Sequence, residues 1–150
     1  MSSFPDTSFL CAMYRLQVHS PLAASWNRDL VGPLPVSTLL LFEFRQSIRL
    51  QNRLFELDRK KGFSINEGAQ ILRTLQSDLA ERVIKIVEVD WADVHQTAEM
   101  LSAKYTASGG HRFADILHVA TALHLASPVF LTFDLNQRKL AEAEGMSVPV

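Results

Sequence analysis

The chain has 150 residues, 47% of them apolar and 21% charged, with a formal net charge of −1 at pH 7. That length favours one domain, 1–150, around a single core, and the near-neutral balance excludes a globally basic nucleic-acid binder, so any nucleic-acid partner has to be held by a local patch. Cys11, the single cysteine, excludes an intramolecular disulfide and fits a reducing cytoplasm; the first residues, Met1 to Asp6, lack the regions of a signal peptide, and the longest apolar run, Leu39 to Phe42, is far too short to span a membrane.

In chain order, Ser2 to Pro5 suffices for one short strand, weakened by Pro5. Thr7 or Ser8 is placed to cap a helix through Phe9, Leu10, Met13 and Leu16, which puts Asp6 where a strand ends and a helix begins. Pro21 suits a helix first turn, and Leu22, Ala23, Trp26 and Leu30 carry that helix to Gly32. Leu34 to Val36 is a second short strand. Ser37 or Thr38 then starts a long helix to about Arg59, on which Leu40, Leu50, Leu54 and Leu57 share roughly 100° of arc with Glu43 among them. Arg45, Arg49, Arg53 and Lys60 lie opposite and read as a solvated face.

The spacing of Ser64 and Glu67 is that of a capping box for a helix carrying Ile71, Leu72, Leu75 and Leu79. Val83 to Val89 reads as a third strand, and Asp90 as the cap of a helix carrying Trp91, Val94, Ala98, Leu101 and Tyr105. Thr106 to Gly110 reads as a loop. In the helix that follows, Val119, Ala122 and Ala126 fall within roughly 40° of Asp115, so a carboxylate sits on an apolar face of a helix apolar almost all round. Ser127 and Pro128 stop it. Val129 to Phe133 forms a fourth strand with Asp134 at its end, a short helix with Leu140 and Ala143 closes at Gly145, and Met146 to Val150 reads as a last edge strand.

Strands alternating with helices imply an α/β fold, a mostly parallel sheet of four to five strands covered on both faces. Ligands of such sheets bind beyond the strand carboxyl ends where strand order reverses, so Asp6 and Asp134 converge if the first and fourth strands are neighbours, with Glu43 and Asp115 in reach from helices. Carboxylates so close repel one another and are tolerated when a hard divalent cation, Mg²⁺ or Mn²⁺, neutralises them; such a site hydrolyses phosphodiesters. Thr7, Ser8 and Thr132 are plausible hydroxyl donors to a carboxylate or a bound water. His118, one turn after Asp115, has the reach to orient it, but neither it nor His111 and His124 has a zinc-type spacing, so no metal is assigned to the histidines.

DTSFL at residues 6–10, Glu43 in a long helix, FADILHVATAL at residues 113–123 and LTFDLNQRKLAEAEG at residues 131–145 together resemble the PIN-domain family, especially the VapC-type toxin ribonucleases. The resemblance spans essentially the whole chain. It implies a three-layer α/β/α fold and an endoribonuclease dependent on Mg²⁺ or Mn²⁺ that leaves a 5′-phosphate, with Asp6, Glu43, Asp115 and Asp134 as its metal-site acids. It also implies RNA as substrate, a cognate antitoxin and a homodimer. Pro5, in place of the apolar residue usual before the first acid, departs from the pattern. Two other readings are a PIN-like module that only docks a protein and an aspartyl-nucleophile phosphatase. The phosphatase chemistry usually wants a second acid two residues after the first, where Ser8 stands.

Overall fold

Among the described residues four three-residue strands carry the fold, and what makes them strands is burial: β1 (Ser3–Pro5) and β4 (Val129–Leu131) are buried at every position. In an isolated sheet one face would alternate into solvent, so continuous burial means that helices cover both faces. The computed structural model describes residues 2–150. β1 pairs in parallel with β4, Phe4 opposite Phe130, and β2 (Leu34–Val36) pairs in parallel with β3 (Ile84–Ile86). β1 also lies beside β2, giving the spatial order β3-β2-β1-β4. Strand order therefore reverses between β1 and β4, where sheets of this kind place their ligands.

The helices form two groups. On one side α1 (Thr7–Tyr14) packs against α2 (Ser20–Asp29), α3 (Thr38–Leu57) and α4 (Ile65–Ala80). On the other, α5 (Trp91–Leu101) packs along α7 (Phe113–His124), which also touches β1 and α8 (Leu135–Ala143). Phe4, Phe9, Phe44 and Phe130 are the largest fully buried side chains between these layers. Among the described residues, no helix is long and apolar enough to cross a membrane.

Several elements differ from the sequence reading. The cap of α1 is Asp6 itself, whose side chain accepts from the Phe9 N–H, so Thr7 and Ser8 lie inside the helix with their hydroxyls turned to other work. The expected loop from Thr106 to Gly110 is helical: α5 runs on through a π-turn, Ser102–Thr106, into the short α6, Ala107–Gly109. Gly110 ends it at φ +65°, a left-handed conformation that favours glycine. The third strand is shorter than expected, and the last edge strand reduces to a single parallel bridge from Ser147 to Val129.

The largest correction concerns α3. Its buried residues are Leu40, Leu41, Phe44 and Ile48, none beyond the middle of the helix, while Leu50, Leu54 and Leu57 are exposed. The face predicted from Leu40 through Leu57 is real as a helical face, but its second half is only partly covered. Glu43 stands at the edge of the buried stripe, beside Phe44. Leu57, 69% exposed, contributes little to the core, and Leu57→Ser is expected to change stability by less than about 0.5 kcal/mol in urea melts. A loss of about 2 kcal/mol or more would instead place Leu57 in a packed environment.

Candidate active site

At the carboxyl ends of β1 and β4 the chain turns twice into helices, and each turn is made by an aspartate. Asp6 follows β1 and caps α1; its own N–H donates to the Leu131 carbonyl at 3.0 Å, continuing the strand pairing by one residue. Asp134 stands three residues past the end of β4 and caps α8, its Oδ1 accepting from the Asn136 and Gln137 N–H groups at 2.8 and 2.9 Å. Asp115 lies in the first turn of α7. Three aspartates thus sit at helix N-termini, where the helix dipole favours negative charge. Capping and cleft-lining are not alternatives here, since a carboxylate has two oxygens.

Asp6 is wholly buried. Its Oδ1 accepts from Phe9 N at 3.0 Å and Ser8 Oγ at 2.6 Å, and its Oδ2 from the Thr132 hydroxyl and from Gln137 Nε2 at 2.8 Å. Burial pushes its carboxyl up from 3.8 to about 6, against the hydrogen bonds from Ser8, Thr132 and the Phe9 N–H, which pull it down. Thr132 also accepts from the Asp134 N–H at 3.0 Å, and Ser8 from the Phe133 N–H at 2.9 Å, so both hydroxyls brace the turn after β4 against Asp6.

Glu43 reaches the same cleft from α3. One of its oxygens, Oε1, accepts from the Thr7 hydroxyl and from Nε2 of His118, 3.0 Å away. Burial alone would push this carboxyl up, but the hydrogen bond and charge of His118, the Thr7 hydroxyl and the charge of Arg112 together hold it below the usual glutamate value. His118 is fully buried, and its Nδ1 has no partner among the described residues. The sequence points His118 toward Asp115; the structure gives it to Glu43, because α7 packs with that face toward the Glu43 carboxylate rather than along its own axis.

The four acids line one cleft of about 430 Å³, with Thr7, Ser8, Arg112 and Gln137 among its other walls. Thr132 lies behind it, touching Asp6. Among the described residues no three His, Cys, Asp or Glu side chains are grouped tightly enough to coordinate a metal ion as they stand. What lies between the carboxylates instead is a pair of nitrogen donors. Gln137 Nε2 bridges Asp6 and Asp115 Oδ1, at 2.8 and 3.2 Å. Arg112 donates its Nε to Asp115 Oδ2 at 2.9 Å and holds a terminal nitrogen 3.9 Å from Asp134 Oδ2. Positive hydrogens thus occupy the space a cation would neutralise, and the carboxylate chemistry fits a hard divalent ion once those donors withdraw.

Sequence reasoning missed Arg112 and Gln137. The only signal was spacing: Arg112 lies three residues before Asp115 and Gln137 three after Asp134, the separation at which helical neighbours meet.

The chain matches the PIN-domain family model over residues 3–143. No curated protein matches it. Among solved structures it is similar to the toxin VapC20 of Mycobacterium tuberculosis, described as cleaving the sarcin-ricin loop, with a TM-score of 0.67 and 19% identity over 97% of both chains. It is also similar to FitAcB of Neisseria gonorrhoeae, with a TM-score of 0.60 and 16% identity over 97% of this chain and 95% of that one. A third is PAE2754 of Pyrobaculum aerophilum, again 0.60 and 16%, over 99% and 89%. At these identities the likeness speaks for the fold. The family match, which runs from the first strand through the last helix, speaks for more: the chain belongs to the PIN-domain family.

Proposed function

We propose that this PIN-domain chain is a single-domain, divalent-metal-dependent endoribonuclease, the toxin half of a type II toxin–antitoxin pair, acting in the cytoplasm. The observation that carries this reading is the convergence of Asp6, Glu43, Asp115 and Asp134, drawn from four distant parts of the chain, on one cleft at the reversal point of the sheet. Asp115, Asp134 and Asp6 would hold Mg²⁺ or Mn²⁺. When bound, the ion supplies charge neutralisation at the phosphate and a lowered pKa for water. Glu43, with one oxygen fixed by Thr7 and His118, keeps the other for the ion or for orienting the attacking water and taking its proton. The similarity in fold to VapC20, a toxin that cleaves the sarcin-ricin loop, supports RNA as the substrate class.

The exposed leucines of α3 support the partner assignment. Leu50 lines the cleft and Leu54 and Leu57 continue away from it, so an antitoxin segment laid along them ends at the acids. For the homodimer we assign the face where Phe42 and Phe113 stand exposed around a groove shared with Trp91.

The deciding experiment is cleavage of a labelled RNA with Mg²⁺, with Mn²⁺ and with chelator, using Asp115→Asn as control. Cutting is expected with either ion and in neither the chelated sample nor the variant. Cutting that persists in chelator or in the variant rejects this site. Phosphate release from a small ester, with the RNA intact, favours a phosphatase.

A further inference from the structure

Among the described residues Arg112 is the only lysine or arginine lining the acid cleft, and it is spent on two of the acids. Its side chain is 77% exposed, whereas that of Asp115 is only 9% exposed, so one end of this ion pair is anchored and the other is free to leave. Water at the exposed guanidinium weakens its hold on the carboxylate. An arriving divalent ion carries twice the charge of a guanidinium and competes for the same Asp115 and Asp134 oxygens. Four carboxylates meanwhile repel the backbone of any nucleic acid that approaches, and the wall of the cleft offers one group to offset them.

We propose that Arg112 has two stations: it occupies the carboxylates of Asp115 and Asp134 while no divalent ion is bound, and turns outward to grip a substrate phosphate once one is. The planar guanidinium suits both, because its forked donors match carboxylate and phosphate alike. The position in the chain suits the movement. Arg112 lies at the N-cap of α7 without a side-chain cap bond, two residues after the left-handed Gly110, so its side chain leaves without uncapping the helix, and the contact to α7 it gives up is the Nε bond to Asp115. This inference rests on the nuclease reading and adds to it a residue that binds substrate.

The test has two readouts on wild type, Arg112→Gln and Arg112→Lys. In Mn²⁺ titrations of the metal-free protein followed by electron paramagnetic resonance, Arg112→Gln should bind about three- to tenfold more tightly than wild type, because a competing cation is gone. Arg112→Lys, which keeps the charge, should stay within about twofold of wild type. In cleavage of a labelled single-stranded RNA with saturating Mn²⁺, Arg112→Gln should raise KM about tenfold, and the dependence of log kcat/KM on log salt should flatten by about 0.7, one phosphate contact's worth. A residue that merely props Asp115 would weaken Mn²⁺ binding when removed, the opposite sign. Unchanged or weaker Mn²⁺ binding in Arg112→Gln, or an unchanged salt slope, overturns the proposal while leaving the nuclease standing. Wild type that neither binds Mn²⁺ nor cuts RNA overturns both.

Discussion

Asp6→Asn is expected to lower RNA cleavage roughly a thousandfold and to leave the protein folded, since the several kcal/mol that a metal-site charge contributes to the transition state are lost while the cap is kept. Asparagine caps a helix as well as aspartate, so the bond from Phe9 N to Oδ1 survives. On the other oxygen two effects compete. Neutralising a wholly buried carboxylate removes the penalty that raises Asp6 from 3.8 to about 6, worth about 3 kcal/mol at neutral pH. Against this, the new amide faces Gln137 Nε2, a donor against a donor, at a cost of about 1–3 kcal/mol. The net change is small. A cleavage defect with an intact melting curve therefore reports on the site and not on the fold.

The same carboxyl sets a pH dependence with a definite sign. Below 3.8 Asp6 is protonated folded and unfolded, and contributes nothing. Between 3.8 and about 6 the unfolded chain has lost the proton and the folded one still holds it, so rising pH costs stability; above about 6 the cost is complete. Glu43, held below its ordinary 4.5, acts the other way, giving stability that is lost as pH falls through its lowered value, and that change is over before Asp6 dominates. Urea midpoints of metal-free wild type should thus fall from about pH 4.5 to 6.5, and those of Asp6→Asn should not. Saturating Mn²⁺ should raise the wild-type midpoint at pH 7 and do much less for the variant. Parallel pH curves for the two proteins would show that Asp6 carries no such burden.

How much of this was legible in the sequence depended on how local its cause was. Asp6 and Asp134 sit where an apolar run gives way to helix spacing, so the strand ends are written within a few residues, although Thr7 and Ser8, equally good caps by type, drew the start of α1 past Asp6. The pairing of β1 with β4 stood in the sequence only as a condition, since no residue specifies strand order, and the structure supplies it. Glu43 was found for a partly mistaken reason. Periodicity reports which residues share a helix face but not whether anything covers it, and α3, 20 residues or about 30 Å long, overhangs the short strands so that Leu54 and Leu57 meet solvent. Thr106 to Gly110 looked like a loop because serine and glycines crowd there, yet a π-turn carries the helix on until Gly110 stops it. Gln137 and Arg112 carry no pattern of their own. A lone polar residue acquires meaning from what faces it across the fold, and that is tertiary information.

His118→Ala is expected to slow cleavage about 10- to 100-fold, the usual loss when the residue orienting a metal-site ligand is removed. His118 touches no substrate; it acts through Glu43, whose Oε1 accepts from its Nε2 at 3.0 Å. Without that bond the Thr7 hydroxyl alone fixes the oxygen, burial again pushes the carboxyl up, and the other oxygen loses its aim. The loss should appear in kcat with KM for RNA unchanged, because nothing that grips the backbone has moved. The cavity left by a fully buried ring also costs about 1–3 kcal/mol of stability, so alanine alone does not separate aiming from folding. Glutamine does: His118→Gln offers an N–H near the position of Nε2 and should recover most of the rate. In the Glu43→Gln background, adding His118→Ala should cost less than about twofold more, since the two act as one unit. An alanine variant that cuts at the wild-type rate, or a folded glutamine variant as slow as alanine, would leave His118 a packing residue and Glu43 held by Thr7 alone.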